Sequence, residues 1–227
     1  AADVARLREV LGIPEDTVAI LYAPARLDHR RTQHFALDLE RLVRRLGPRF
    51  VVLARGEAGP GAGDAPPPVP RAPRVIDVTG HPRLPALCLA SDVLVTDHAP
   101  LMVDYAVLDR PIVLHTGDLR VYEAARGLYL DLRAAPPGVS ARDEDELVDV
   151  FATGHWCGSR AAELRSAFRE RFCPWDDGHA AERAVRRIVL GEPAPLPVVP
   201  LGARRPAPAA TPRTPLVTLP GPAGPGA

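Results

Sequence analysis

Short apolar runs alternate with amphipathic segments along most of the chain. Apolar residues on both faces predict strands at residues 17–22, 50–53, 75–78, 93–96 and 112–114. Helical spacing of apolar positions predicts helices at residues 3–12, 33–46, 84–90, 101–108, 143–151, 160–172 and 180–190. Strands that are apolar on both faces and alternate with helices indicate a parallel sheet covered on both sides. The pattern therefore predicts an α/β, Rossmann-like fold.

Residues 90–111, ASDVLVTDHAPLMVDYAVLDRP, form the most informative unit of this pattern. A short apolar strand there runs through a sharp polar turn into an amphipathic helix. Open α/β folds use this arrangement to present backbone N–H groups to a bound phosphate. Ala99 and Pro100 stand in the turn where hydroxyl side chains would be expected. Phosphate binding by this unit therefore depends on the hydrogen-bond donors that remain in the turn.

Two stretches lack the composition of regular structure. Residues 56–73 are dominated by Gly, Pro and Ala, and we expect a flexible surface insertion there. From residue 191 onward the sequence is rich in Pro, Ala and Gly and lacks periodicity, which predicts a disordered tail over residues 191–227. The domain organisation we expect is one Rossmann-like domain at residues 1–190 followed by that tail.

Composition narrows the function classes. The 28 basic residues, all arginine, balance 28 acidic ones, and zero net charge argues against a dedicated nucleic-acid surface. The three cysteines form no metal-binding or disulfide spacing, and Cys88 lies in an apolar run typical of a core position. We predict no metal, no cofactor and a reducing cytoplasmic location. The chain starts with Ala inside a predicted helix, which suggests a fragment that lacks an upstream part.

Five segments carry a family resemblance. They read LGIPEDTVAILYAP, RFVVLARG, VIDVTGHPRLPALCLASDVLVTDHAPLMVDYAVLDRPIV, GDLRVYEAARGLYLDL with PPG, and FCPWDDGHAAERAVRRI. In this order and spacing, over about residues 5–190, they resemble the CDP-glycerol glycerophosphotransferase family of teichoic-acid and capsule polymerases. The resemblance implies the C-terminal, nucleotide-donor half of a GT-B fold. It also implies that a separate N-terminal half, with a catalytic histidine, is needed for turnover.

The same resemblance implies the donor site. The family's turn reads like TDYSS, and its serines resemble diphosphate ligands, whereas this chain has TDHAP followed by Leu101. We expect Asp97 to cap the next helix and the remaining amides of the turn to face the anion. Ala99 and Pro100 supply no hydroxyl, and at about 1.5–3 kcal/mol each, two lost hydrogen bonds would weaken donor binding about a hundred- to ten-thousandfold. His98 either compensates when protonated or is simply solvated.

Three further positions bear on the chemistry. Asp104 matches an acidic position of the family, although it can equally be a carboxylate on a helix surface. The family tends to carry an Arg and a His after the second strand, where this chain has Arg55 and Glu57. Arg55 suits a phosphate through its two-pronged guanidinium. Glu57 repels a diphosphate unless it serves as a general base. Arg55 and Glu57 are thus the catalytic candidates.

Several later positions also match the family. We expect Arg126 and Asp177 to line the cleft, with Arg126 alternatively pairing with a nearby carboxylate. The remaining matches, many of which can be structural, are Asp118, Tyr122, Gly127, Asp131, Pro137, Gly138, Gly178, Glu182 and Arg183.

Three functions remain open at the level of sequence. The first is transfer of an alcohol phosphate from a CDP-alcohol, such as CDP-glycerol or CDP-ribitol, to a hydroxyl of a cell-wall or capsule polymer. The second is a degenerate, non-catalytic member acting as a binding or scaffold module, and the third is a sugar-nucleotide glycosyltransferase of GT-B type. The resemblance implies a CDP-alcohol donor, a lipid-linked polymer acceptor and a missing N-terminal domain or partner chain as partners. Lipid-linked acceptors would place the protein in the cytoplasm at the inner face of the cell membrane.

Overall fold

A six-stranded parallel sheet organises the chain. The computed structural model describes residues 2–25, 35–56, 66, 68–128 and 130–192. The strands are β1 (Val18–Tyr22), β2 (Phe50–Ala54), β3 (Val75–Asp77), β4 (Val93–Thr96), β5 (Ile112–His115) and β6 (Val139–Ala141). They lie in the order β3-β2-β1-β4-β5-β6, and every neighbouring pair is parallel. The α/β, Rossmann-like fold predicted from the sequence is confirmed.

Helices cover both faces of this sheet. They are α1 (Ala2–Val10), α2 (Leu39–Leu46), α3 (Leu84–Ala90), α4 (Leu101–Ala106), α5 (Leu119–Arg126), α6 (Glu144–Ala152) and α7 (Ser159–Phe172), with a 3-10 turn at His155–Cys157. A further helix, α8 (Ala180–Ile188), follows them in sequence. The chain divides into two compact units, Ala1–Asp177 with the sheet and Gly178–Ala227 with α8. The single domain expected over residues 1–190 stays a prediction, and residues 193–227 lie outside the described part.

Alternate residues of each central strand enter opposite apolar layers. Leu21, Leu94 and Leu114 pack into one layer with α3, α4 and α7, here called the first layer. Tyr22 and Val95 pack into the other with α2 and α6, the second layer. Burial on both faces explains why each strand reads as a continuous apolar run rather than as an alternating pattern.

Element bounds differ from the sequence expectation where side chains intervene. The helix expected over residues 33–46 begins only at Leu39, because Asp38 adopts an extended backbone and its carboxylate accepts from the Arg41 amide at 3.0 Å. Residues 33 and 34 lie outside the described part of the chain. So does most of the insertion expected at residues 56–73.

Strand β6 and helix α5 were not expected from the sequence. The route to β6 depends on Gly138, because a Cβ at this position would lie 1.9 Å from the carbonyl oxygen of Ile112. Only glycine lets the chain run this close to β5 and add a sixth strand. This is a structural reason for the PPG motif.

Candidate functional site

The candidate site lies at the carboxyl edge of the sheet, between β1 and β4. Strand order reverses there, since β2 and β3 lie on one side of β1 while β5 and β6 lie beyond β4. Ligands of open α/β sheets bind in the crevice outside this point. The loop after β1 runs through Ala23–Ala25, and the turn after β4 runs from Asp97 to Leu101.

Asp97 ties these two loops together. Its two carboxylate oxygens accept from the Ala25 amide at 2.8 and 3.0 Å, and one of them also accepts from the Ala99 amide at 2.9 Å. Thr96 adds a hydrogen bond from its hydroxyl to the carbonyl of Ala23 at 2.7 Å. Burial raises the pKa of the Asp97 carboxyl, while His98 and the two amides oppose the shift. Asp97 is therefore a clamp between the loops.

The expected helix cap at Asp97 is wrong. Helix α4 begins after Pro100, and no side chain accepts a hydrogen bond at its N-terminus. Asp97 instead turns back on the amide two residues further along, in the local pattern that Asp favours in turns. Its carboxylate is consequently occupied by backbone donors rather than aimed at α4.

Few amides of the turn remain for an anion. The Ala99 amide donates to Asp97, and Pro100 has no N–H. Among the described residues, the backbone amides of His98 and Leu101 donate to no acceptor. Ala99 is only 4% exposed, whereas Pro100 is exposed. The turn thus offers two amides, and position 100 is the side-chain position most open to a ligand.

His98 packs rather than extending into solvent. Its ring stacks on Tyr122 of α5, with ring centroids 3.4 Å apart and an interplanar angle of 27°. Both ring nitrogens are buried and have no hydrogen-bond partner in the described part of the protein. The solvated alternative for His98 is wrong, and its buried nitrogens are donor or acceptor groups without a partner at the edge of the crevice.

Two buried titratable groups lie beside Asp97 and were missed in the sequence. Tyr22 pairs in register with Val95, which lies two residues before Asp97. The side chains of Tyr22 and Val95 both pack in the second layer. His115, 8% exposed, occupies the same face at the end of β5. The sequence pattern ended that strand at residue 114, so His115 appeared to lie outside it. Because alternate residues of a strand face the same side of the sheet, extending that alternation to the last residue of β1 and of β5 would have placed Tyr22 and His115 on the same face.

Burial controls the charge of these groups. Desolvation lowers the pKa of His115, against the opposing pull of Asp118, Asp97 and Asp143. Burial also raises the pKa of the Tyr22 hydroxyl well above its usual range. At neutral pH, His115 and Tyr22 are therefore uncharged beside the carboxyl group of Asp97.

Arg55 lies on the other side of the edge. It follows β2, and its Nη1 donates to the carbonyl oxygens of Val78 at 3.4 Å and His81 at 3.2 Å. Arg55 and Asp104 both act electrostatically on the thiol of Cys88, whose pKa is raised to about 11 chiefly by burial. Cys88 is buried in the first layer, as its apolar surroundings predicted. The guanidinium thus faces the first layer, away from His115.

The other predicted site residues are dispersed. Asp104 is exposed on α4, Arg126 is the last residue of α5, and Asp177 ends the first compact unit. Glu57 lies outside the described residues. The structure brings Asp97, His98, Ala99, Pro100 and Leu101 into one turn but leaves their binding roles as predictions.

Within the described ranges, no group of three or more His, Cys, Asp or Glu side chains is arranged to hold a metal ion. The same part of the chain contains no helix both long and apolar enough to span a membrane.

Strand order, the polar turn and the crevice define a Rossmann-type α/β unit of the kind that binds nucleotides. Comparison with known families then gives a more specific assignment. Residues 1–190 match the family described as CDP-Glycerol:Poly(glycerophosphate) glycerophosphotransferase, and the chain belongs to that family. The family resemblance inferred from the five sequence segments is confirmed.

Curated relatives are teichoic-acid enzymes. The chain is 30% identical over 189 residues to the teichoic acid glycerol-phosphate transferase of Staphylococcus aureus, covering 78% of this chain and 46% of that protein. It is 25% identical to the teichoic acid poly(glycerol phosphate) polymerase of Bacillus subtilis, covering 83% of this chain and 26% of the relative. The chain spans less than half the length of these two relatives.

A solved structure shares this fold. The wall teichoic acid polymerase TagF aligns with a TM-score of 0.67 and 28% identity, covering 84% of this chain and 47% of that one. A variant of the same polymerase soaked with CDPG aligns with a TM-score of 0.65 and 26% identity.

Proposed function

We propose that this chain is the donor-binding part of a CDP-alcohol phosphotransferase, with CDP-glycerol or CDP-ribitol bound at the β1–β4 crevice. The observation that carries the proposal is the family match over residues 1–190, which includes every element of the crevice. The likeness to a polymerase soaked with CDPG supports a CDP-alcohol as the ligand class. Relatives that act with glycerol phosphate and with ribitol phosphate both occur, so the alcohol stays open.

In this proposal the diphosphate lies against the turn after β4. The amides of His98 and Leu101 donate to its oxygens, and the buried ring nitrogens of His98 become partners once the ring leaves Tyr122. Asp97 keeps both loops in place without facing the anion. The site therefore relies on backbone donors, which compensate in part for the hydroxyls that positions 99 and 100 lack.

The reaction we propose joins an acceptor hydroxyl to the β-phosphorus of the donor. A new P–O bond to the acceptor forms, the P–O bond to CMP breaks, and the hydroxyl proton passes to a general base. Glu57 is the candidate base from the sequence. Arg55 is the candidate for stabilising charge, although its present hydrogen bonds to Val78 and His81 would have to loosen.

Turnover requires more than this part of the fold. The chain matches less than half of the S. aureus relative, and we propose that a second domain or partner chain supplies acceptor binding and a catalytic histidine. We expect the acceptor to be a lipid-linked polymer at the inner face of the cell membrane.

A second candidate is a non-catalytic binding module. It is favoured by the occupied amide of Ala99, the missing amide of Pro100 and the internal hydrogen bonds of Arg55. A binding or scaffold module requires no nucleotide and releases no CMP when acceptor and the missing domain are present, whereas the donor-binding part of an enzyme binds nucleotide and supports CMP release. A sugar-nucleotide glycosyltransferase would instead prefer UDP.

Calorimetry with CDP, CDP-glycerol and UDP tests the proposal. We expect CDP and CDP-glycerol to bind with micromolar affinity and UDP to bind more weakly. Absence of binding by all three nucleotides at millimolar concentration would exclude both enzyme functions, and preferential UDP binding would favour the glycosyltransferase.

Position 100 provides a sharper variant. Pro100→Ser adds an N–H and a hydroxyl at an exposed position, and a hydrogen bond to a charged group, worth about 1.5–3 kcal/mol, would tighten CDP binding at least about tenfold. Ala99→Ser should change affinity less, because Ala99 is buried. Pro14→Ser, exposed before β1 at the opposite edge of the sheet, is the matched control. Unchanged affinity in Pro100→Ser would place the diphosphate elsewhere.

A further inference from the structure

Strand β5 ends beside the candidate site in a polar residue that the proposed diphosphate contacts do not use. The register pairs Thr96 with Leu114, so the next residue of each strand, Asp97 and His115, lie at the same level of the sheet edge. His115 is 8% exposed, and its ring makes no hydrogen bond to any residue that the structure describes. A buried polar ring without a partner is uncommon, and it leaves a hydrogen-bonding group available to a ligand.

The ring of His115 reaches past the end of β5 to the loop before α5. A Cβ at Gly117 would lie 3.4 Å from Cε1 and 3.6 Å from Nε2 of that ring, and 2.7 Å from the carbonyl oxygen of Arg142. Glycine therefore lets the backbone of this loop pass directly beside the imidazole. Because Gly117 is exposed, the Nε2 end of the ring lies at the rim of the crevice.

Asp118 brings a carboxylate to the same place. It is half-buried directly before α5, and its side chain does not cap that helix. Among charged groups, Asp118 acts most strongly on His115, and it also acts on Asp97, so its carboxylate lies near the ends of β4 and β5. Within the described ranges this carboxylate accepts no hydrogen bond. Asp143, which also acts on His115, is instead occupied by the Glu146 amide at 2.9 Å.

Charge decides which part of a donor can lie beside Asp118. A carboxylate repels a diphosphate, so the diphosphate is better placed on the amides of the turn after β4. A carboxylate and an uncharged imidazole suit hydroxyl groups, which donate to the first and share a hydrogen bond with the second. The alcohol on the β-phosphate of a CDP-alcohol carries such hydroxyls, and β5 is the strand next to that turn.

We propose that His115 and Asp118 form the subsite that recognises the hydroxyls of the donor's polyol. This inference rests on the function proposed above, because it starts from a CDP-alcohol whose diphosphate lies on the turn after β4. Asp118 accepts a hydrogen bond from one hydroxyl, and His115 bonds another through Nε2. A polyol ester of CDP therefore makes contacts here that an ester without hydroxyls cannot make.

Calorimetry of the full chain with two matched probes tests the inference. CDP-glycerol and the propyl ester of CDP have the same charge and the same number of ester carbons, but only the glycerol unit carries hydroxyls. We expect CDP-glycerol to bind at least about tenfold more tightly than the propyl ester. Asp118→Asn should lower this ratio at least about threefold and raise the affinity for the propyl ester, because a charge that repels the diphosphate is lost. His115→Phe, which keeps a ring but no ring nitrogen, should also lower the ratio.

Asp149→Asn removes the same charge from an exposed position on α6, and this matched control should keep both affinities. Equal affinities of the original chain for the two esters would overturn the subsite and leave the donor-binding function standing. A parallel fall of both affinities in Asp118→Asn would also overturn it, because that result assigns Asp118 to folding or to the diphosphate. An unchanged ratio in both Asp118→Asn and His115→Phe would place the polyol elsewhere. Binding of neither ester would overturn the proposed function and the subsite with it.

Discussion

Gly138 shows how one missing side chain allows a whole strand to form. We predict that Gly138→Ala destabilises the protein by about 2–4 kcal/mol, because its Cβ would overlap the backbone carbonyl of Ile112 and backbone must move to relieve it. Urea unfolding followed by circular dichroism measures the change.

Gly80 supplies the control for this substitution. A Cβ there would meet nothing within 4 Å, and its backbone needs no positive φ. Gly80→Ala should therefore change the free energy of unfolding by less than about 1 kcal/mol, in the stabilising direction. Equal losses for both variants would mean that the contact with Ile112 is not what restricts position 138.

His115 should make stability depend on pH. Burial lowers the pKa of His115 in the folded protein, whereas the unfolded chain keeps the ordinary histidine pKa. As the pH falls toward that ordinary pKa, the unfolded state therefore binds the proton more readily than the folded state. Stability is therefore lost as pH falls from 7 toward 5. Asp97, with its raised pKa, contributes in the opposite direction, because the folded state takes up its proton first.

The comparison that isolates His115 is the difference between the original chain and His115→Gln. We expect the unfolding midpoint in urea to fall less steeply between pH 7 and 5 in the variant. His155→Gln, at an exposed position in the 3-10 turn, should keep the original slope. A His115→Gln profile that parallels the original would assign the acid sensitivity to other groups.

At the scale of elements, Arg110 holds the end of α3. Its Nη1 donates to the carbonyls of Cys88 at 3.3 Å and Leu89 at 2.8 Å, and also to that of Ser91. Carbonyls at a helix C-terminus have no partner within the helix, and a cation there also complements the helix dipole. The arginine thus fixes the turn between α3 and β4, which leads into the candidate site.

Arg110→Ala should lower the free energy of unfolding by about 1–3 kcal/mol, because three carbonyls lose a charged donor. Arg120→Ala, exposed on α5, is the control and should change it by less than about 0.5 kcal/mol. Thermal and urea denaturation of both variants measure the effect. A neutral result for Arg110→Ala would mean that water replaces the guanidinium at no cost.

Elements with strong apolar patterns were predictable, and those made by long-range contacts were not. Strands β1, β2, β4 and β5 follow directly from runs such as FVVL and VLVT. Strand β6 has only three residues and depends on the fit of Gly138 against Ile112, which no local pattern encodes. Helix α5 has no buried residue in its middle turns that would give a clear apolar periodicity.

The candidate site was predictable in position but not in the roles of its residues. The motif after β4 pointed to a turn that lies where strand order reverses, and its binding role stays a prediction. The hydrogen bonds of Asp97 to Ala25 join segments 72 residues apart, so the sequence suggested a local helix cap instead. His115 was missed for a local reason, because the apolar run ends at residue 114 and the predicted strand therefore stopped one residue short of it.

At the scale of the whole molecule, ligand binding and folding are linked. A nucleotide that binds only the folded state stabilises it by about 2.7 kcal/mol at a hundredfold excess over its dissociation constant. For a domain of this size, that corresponds to a rise in Tm of about 5–10 °C. We therefore expect about 1 mM CDP to raise the Tm by this amount if its dissociation constant is about 10 μM.

Two comparisons make this thermal shift specific. Asp97→Asn should reduce it, because the amide replaces the second oxygen that accepts from the Ala25 amide with an NH₂ group that faces that donor, whereas Asp149→Asn, exposed on α6, should preserve it. A shift that CDP and UDP produce equally, or that Asp97→Asn leaves intact, would show that the crevice between β1 and β4 does not recognise the donor.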